Sequence, residues 1–263
     1  RDRLTTRHKL PGMRLLDWFI SPLFDLPIGA QALLVAWILT MIALPVVNWI
    51  WGDNARKKNV ALSVFLQAAT VLAILNPVWG SRRTLITAGV VVGLGWGVEF
   101  VGSHTGVPFG HYHYTHKLQP QLGRVPLVIP FAWLMMLPPA WAVAQVIVGG
   151  TSGWAFILVS ALAFTAWDLF LDPQMVKWGF WVWDSSPTAS PSCHYFGIPW
   201  VNFAGWFVAS LFITYVIVVY PAVFSPLPIG PLFFIYALTW LLEIFCQLFF
   251  CGLPGPALVG FVG

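Results

Sequence analysis

Charge is what this chain has least of. Asp, Glu, Lys and Arg make up only 8% of its 263 residues, against roughly 25% in a typical soluble domain. A surface so poor in charge does not suit a water-soluble fold. No charged residue occurs between Asp25 and Asp53, Lys58 and Arg82, Arg124 and Asp168, or Asp184 and Glu243. Each gap exceeds the ~20 residues that a helix needs to cross the hydrocarbon, and the last two are long enough for more than one crossing. Cysteine is scarce too. Cys193, Cys246 and Cys251 form neither a disulfide framework nor a spaced metal motif, and read as packing thiols. The net charge of +4 is spread over short clusters such as Arg56, Lys57 and Lys58, then Arg82 and Arg83. These suit topology and headgroup contacts, not a nucleic-acid surface. The chain starts at Arg1 without Met, and no cleavable signal peptide is visible, so an upstream start is expected.

What fills the chain is apolar. Hydrophobic residues make up 59% of it, with 16 Trp and 21 Phe, more aromatics than interfacial belts usually need. The expected fold is therefore an all-α integral membrane protein of about seven transmembrane helices, near residues 28–51, 60–79, 84–102, 127–148, 154–172, 201–224 and 230–251. Gly149, Gly150 and Gly153 divide the fourth helix from the fifth. Pro221, Pro226, Pro228 and Pro231 divide the sixth from the seventh, and Pro173 is expected to end the fifth. Residues 1–27 form an N-terminal segment whose RLLDWFISPLF run suits the membrane interface. Residues 28–263 form a single polytopic domain without an internal repeat.

In this reading the third, fifth and seventh helices run the same way, so their C-terminal ends share one face. Glu99, Asp168, Asp172 and Glu243 gather there, together with two long polar loops, 103–126 and 173–200. Lys and Arg number seven on the N-terminal face and six on the other, a margin on which the positive-inside rule does not choose an orientation.

An ionisable group in a membrane segment is a functional-site hypothesis by default. Asp168 and Asp172 are four residues apart and share a helix face. Two carboxylates that close resist ionising together, which makes one an acid and the other a base. The alternative is that Asp172 only hydrogen-bonds the following loop. Glu99 follows Gly93, Gly95 and Gly97, which admit a close neighbour, and a buried carboxyl there suits general-acid work. Glu243 lies far from any motif and fits a packing or snorkelling role equally well. His104, His111, His113 and His116 sit in a Gly/Pro-broken loop, unlike the helical histidine boxes of di-iron membrane enzymes, so contact roles outweigh metal ligation. Trp181, Trp183 and their neighbours suit either a cation-stabilising wall or an aromatic belt.

Four pieces follow in order. Glu99 precedes TGVPFGHYHY (105–114). Pro126 and Pro130 come before Trp133. Asp168, Asp172 and Pro173 lead to Gly179, Trp181 and Trp183. GIPWVNFAGW (197–206) comes last. Together, over residues 99–206, they resemble the carotenoid hydratase family of membrane proteins, the bisanhydrobacterioruberin hydratase and γ-carotene 1'-hydratase type. The resemblance implies a multi-pass enzyme of the cell membrane. It would take a long polyene carotenoid and water, and hydrate the terminal double bond of a ψ-end to a tertiary alcohol without redox cofactor or metal. It also implies catalytic roles for Glu99, Asp168 and Asp172, with Asp168 or Glu99 as proton donor and Asp172 as the base that orients water. Substrate contacts would come from Thr105, Pro108, Phe109, Tyr112, Tyr114, Trp181, Trp183 and Asn202. Two other classes remain: a metal-dependent membrane oxygenase acting on a lipid, and a non-catalytic carotenoid-binding or transport protein. A retinal photoreceptor is disfavoured, because the seventh helix holds no Lys for a Schiff base.

Overall fold

The computed structural model describes residues 15–184, 194–220 and 226–262. Cys193, Pro221, and the N-terminal bases Arg1, Arg3, Arg7, Lys9 and Arg14 lie outside the described residues. The helices are α1 (Leu15–Phe24), α2 (Ile28–Trp79), α3 (Ser81–Thr105), α4 (Val128–Val148), α5 (Gly153–Lys177), α6 (Trp200–Val219), α7 (Ile229–Phe249) and α8 (Pro254–Val262). Six of them, α2 to α7, are long and apolar enough to cross a bilayer, and the protein is an all-α membrane protein. The 52-residue α2 is itself two crossings. Gly52 breaks it at φ 70, ψ −164, and Asn59 Nδ2 donates to the Thr40 carbonyl at 3.0 Å. Those residues would stand ~28 Å apart along a straight helix, so arms 28–51 and 53–79 fold back on each other. Six continuous helices thus stand where about seven apolar segments were expected, the first of them bent into two arms.

α4 is the most enclosed helix, packed against α2, α3, α5 and α7. Its sequence FAWLMMLPPAWAVA is apolar all round, which is what a central helix requires. Buried prolines, Pro138 and Pro139 in α4 and Pro173 in α5, interrupt this core without ending a helix. Pro139 cannot donate to the Met135 carbonyl, and Gln67 Nε2 on α2 donates to that carbonyl instead, at 3.4 Å. Pro173 was expected to stop α5, yet the helix continues to Lys177. The carbonyl it frees is that of Leu169, and Tyr195 supplies a hydroxyl donor to it at 3.2 Å. Burial and nearby Asp168 push the Tyr195 phenol up to about 12, so it stays a donor at neutral pH. In an apolar bundle each freed carbonyl needs such a substitute.

The two long loops are more ordered than their polarity suggested. β1 (Tyr112–Tyr114) pairs antiparallel with β4 (Trp181–Trp183), in the register Tyr112 opposite Trp183 and Tyr114 opposite Trp181. Thr115 N–H donates to the Phe180 carbonyl, and Asp184 N–H to that of His111, extending the ribbon at both ends. Alternation along each strand sends the four aromatic rings to one face, where Tyr112, Trp181 and Trp183 are buried. His113 points the other way and meets Asp184 at 3.3 Å. Two small hairpins, β2 (Gln121–Leu122) with β3 (Val125–Pro126) and β5 (His194–Tyr195) with β6 (Ile198–Pro199), lead into α4 and α6.

Gly52 carries the reversal in a backbone region that only glycine occupies readily, at a cost of ~1–3 kcal/mol for another residue. Space is free around it, so Gly52→Ala introduces backbone strain and no clash. Thermal unfolding in detergent should therefore begin at lower temperature in Gly52→Ala than in Gly89→Ala, where a Cβ also meets nothing within 4 Å but φ is ordinary. Equal melting of the two variants would contradict the reversal.

Candidate active site

α3 buries a single stripe, Thr84, Thr87, Val91, Gly95, Glu99 and Gly102, spaced to face one side of a helix. That stripe aims Glu99 at the core. Of the three glycines ahead of it, only Gly95 is needed for a close approach: a Cβ there would lie 3.0 Å from the Trp133 ring, whereas Gly93 and Gly97 have free space. The neighbour that approaches is thus an indole, not a helix backbone. Trp133 Nε1 donates to Glu99 Oε1 at 3.1 Å. The other oxygen, Oε2, accepts from the Tyr112 hydroxyl at 2.5 Å and the Tyr114 hydroxyl at 2.7 Å. Burial, and then the Glu99 carboxylate, push both phenols well above the usual tyrosine range, so each keeps its proton to donate. Hydrogen bonds to a charged group contribute ~1.5–3 kcal/mol apiece, comparable with the ~2.5–3.5 kcal/mol that a charge at mid-helix costs on insertion scales. Three donors can hold Glu99 as a carboxylate.

Asp168 and Asp172, one turn apart on α5, are 0% and 1% exposed and accept from the same donor. Two ionised carboxylates this close in a dry interior repel each other, which favours a proton on one of them. Asn202 on α6 bridges the pair: its Nδ2 donates to Asp168 Oδ2 at 3.2 Å and, more closely, to Asp172 Oδ2. Trp181 Nε1 takes the remaining Asp172 oxygen at 3.0 Å. Asp168 Oδ1 has no hydrogen-bond partner among the described residues.

Both clusters stand at one cavity of about 90 Å³, below the ~300–1,000 Å³ of pockets that enclose a whole drug-sized ligand. Glu99, Asp172 and Asn202 line it, with Phe109, Tyr112, Tyr114, Trp181 and Trp183. Behind them Trp133 stacks on Trp206, rings 4.8 Å apart and 2° from parallel. Asp168 does not border the cavity; it stands behind Asp172. Of the sequence-derived contact residues, Thr105 and Pro108 do not line the cavity. Thr105 is exposed and closes its own turn, donating to the Val101 carbonyl at 2.7 Å. Pro108 is a backing residue, its carbonyl against Gly205.

Glu243, set aside on sequence grounds, also lines the cavity and is buried, so a snorkelling role does not fit it. Trp133, which carries part of the family resemblance in the sequence but was given no site role there, proves to be a donor to Glu99. His111, His113 and His116 are exposed on the outer side, and His104 Nδ1 contacts the Phe100 carbonyl at 2.7 Å. Among the described residues, no three His, Cys, Asp or Glu side chains gather as metal ligands would.

Residues 58–262 match the family described as carotenoid biosynthesis protein. The chain belongs to this family. It is also 29% identical, over 153 residues, to bisanhydrobacterioruberin hydratase of Haloarcula japonica; the match covers 57% of the chain and 50% of that relative. The chain thus spans about half the length of the curated relative it matches. No solved structure matches it.

The turn that carries Phe109 into the cavity leans on α6. A Cβ at Gly205 would lie 2.7 Å from the Pro108 carbonyl oxygen and 2.8 Å from the Phe109 ring, and backbone cannot swing aside as a flexible side chain can. Gly205→Ala should push this turn off its seat and lower the melting temperature, while Gly97→Ala, with free space around it, should not. Unchanged melting of Gly205→Ala would show that the turn is loosely held.

Proposed function

We propose that this protein is a carotenoid hydratase of the cell membrane, which adds water across the terminal double bond of a carotenoid ψ-end to give a tertiary alcohol without a redox cofactor. The observation that carries this reading is the buried Asp168 and Asp172 pair, bridged by Asn202 at the wall of an aromatic, apolar cavity inside a membrane bundle. Membership of a carotenoid biosynthesis family supports the substrate class, and the likeness to a bisanhydrobacterioruberin hydratase supports the reaction.

The chemistry asks for three things, and the residues offer each. A trisubstituted alkene needs a strong acid held away from water; protonation at its CH carbon leaves a tertiary cation on the dimethyl carbon. Asp172 borders the cavity and would deliver that proton, replenished from Asp168 behind it. This shifts the donor role from Asp168 alone, or Glu99, to the pair acting through Asp172. The cation needs electron-rich and negative surroundings. Tyr112, Tyr114, Trp181 and Trp183 present ring faces, each face worth ~2 kcal/mol or more to a desolvated cation, and Glu99 stands behind the tyrosines as a fixed negative charge. Water must then add its oxygen to the cation and lose a proton, which Asp172 takes back. The proton count closes: one leaves Asp172 and one returns, so each turnover consumes one alkene and one water. Asn202 and Trp181 hold Asp172 in place throughout.

Isosteric amides keep the shape and remove the acid. Asp172→Asn, Asp168→Asn and Glu99→Gln should each slow turnover by ~100-fold or more, the lower range for positioned acid or base catalysis. All three should still insert and co-purify with carotenoid. Retention of near-normal turnover by all three would remove this site from the mechanism.

A further inference from the structure

We propose that the groove between the first arm of α2 and α7 is a lateral portal from the bilayer, and that the polyene chain of the substrate lies in it while its end group reaches the acids. The choice of ligand rests on the hydratase reading; the passage itself rests on geometry.

A second cavity lies against the first. Its outer walls are Ile42 and Val46 on α2 and Phe245 and Phe250 at the end of α7, all of them exposed. On helices that cross a bilayer, such side chains meet acyl chains. Its inner wall is Met41, Leu44, Gln174 and Glu243, and the same four residues line the catalytic cavity. They form a neck common to both spaces. Leu44 lies eight residues before the Gly52 reversal, and Glu243 six before the end of α7, which puts the neck ~10 Å inside the helix ends at 1.5 Å per residue. That depth is reached from the hydrocarbon sideways, without crossing the polar loops.

Three features suit a passage. α7 packs mainly against α4, α1 and α8 and meets α2 along a shorter contact, so little surface must separate for a flat chain to pass. Pro45 cannot donate to the Met41 carbonyl, which loosens the helix at the neck itself. Glu243 accounts for the remaining chemistry. It shares the neck with Gln174, whose amide oxygen already accepts from Gln247 at 3.2 Å, and its Oε2 has no hydrogen-bond partner among the described residues. A free acceptor at the neck offers a hydrogen bond to a hydroxyl, which the product carries and the alkene does not.

A long polyene cannot be swallowed whole by an end-group cavity, so most of its length must rest elsewhere on the protein. The groove is apolar, opens toward lipid and joins the cavity at its neck.

The test places the photoreactive residue p-benzoylphenylalanine at Ile42 or Phe245, in the full chain carrying Asp172→Asn so that substrate is not consumed. Leu162 on α5 and Val208 on α6, equally exposed at 57%, serve as lipid-facing controls. All four side chains face outward, so none of the replacements disturbs the core. Irradiated in lipid nanodiscs with lycopene, the Ile42 and Phe245 proteins should yield several-fold more lycopene adduct than the Leu162 and Val208 proteins. Equal adduct at all four sites, or adduct at the controls alone, would overturn the portal. The readout is contact, not turnover, so it separates the two claims: adduct at the groove in a protein whose wild type hydrates nothing would leave the portal standing and remove the hydratase reading.

Discussion

Two carboxyls one helical turn apart, buried in an apolar bundle, repel each other when both are ionised and must be surrounded by donors. Much of the architecture around α5 follows from that requirement. Asn202 ties α6 to the pair, and Trp181 ties the β4 strand to it. Once β4 is fixed, its pairing with β1 fixes Tyr112 and Tyr114, and their hydroxyls meet the third acid, Glu99, on α3. One chain of hydrogen bonds thus runs from α6 through α5 and the ribbon to α3 and, through Trp133, to α4. Each link is a donor that would otherwise be unpaired in a dry interior, so removing one leaves the next exposed to the full cost of burial.

The same economy appears where proline interrupts a helix. Pro139 and Pro173 each free a carbonyl, and in each case a polar side chain from elsewhere in the fold, Gln67 or Tyr195, donates to it. In water such a helix would end; in this bundle tertiary partners let it continue. α5 therefore runs a turn past Pro173, carrying Gln174 to the neck and Trp178 beneath the ribbon.

The apolar segments and the convergence of the acids on one side were legible in the sequence, because charge gaps and helix counting depend only on length and polarity. So was the importance of YHY and WVW, although not their pairing: two three-residue strands in separate loops are tied by a long-range register that no local pattern declares, and the alternation of aromatic with His or Val was the available clue. Thr105 and Pro108 were read as contacts because they sit beside Phe109, but a tight turn points neighbouring residues in different directions, and only Phe109 lines the cavity. Glu243 was discounted for want of a motif. Its position is a consequence of how α7 leans on α4 and α5, which is packing information and not sequence information.

The proposed reaction adds water, and nothing else, to a carbon–carbon double bond. The measurement is the mass of the pigment made when the chain is expressed in lycopene-producing cells grown in water enriched in heavy oxygen, with and without air. Hydration gives a product heavier than lycopene by one water, carrying the heavy label, and formed equally well without air. Unchanged lycopene would leave a carotenoid-binding protein, and an oxygen atom drawn from air would contradict hydration outright.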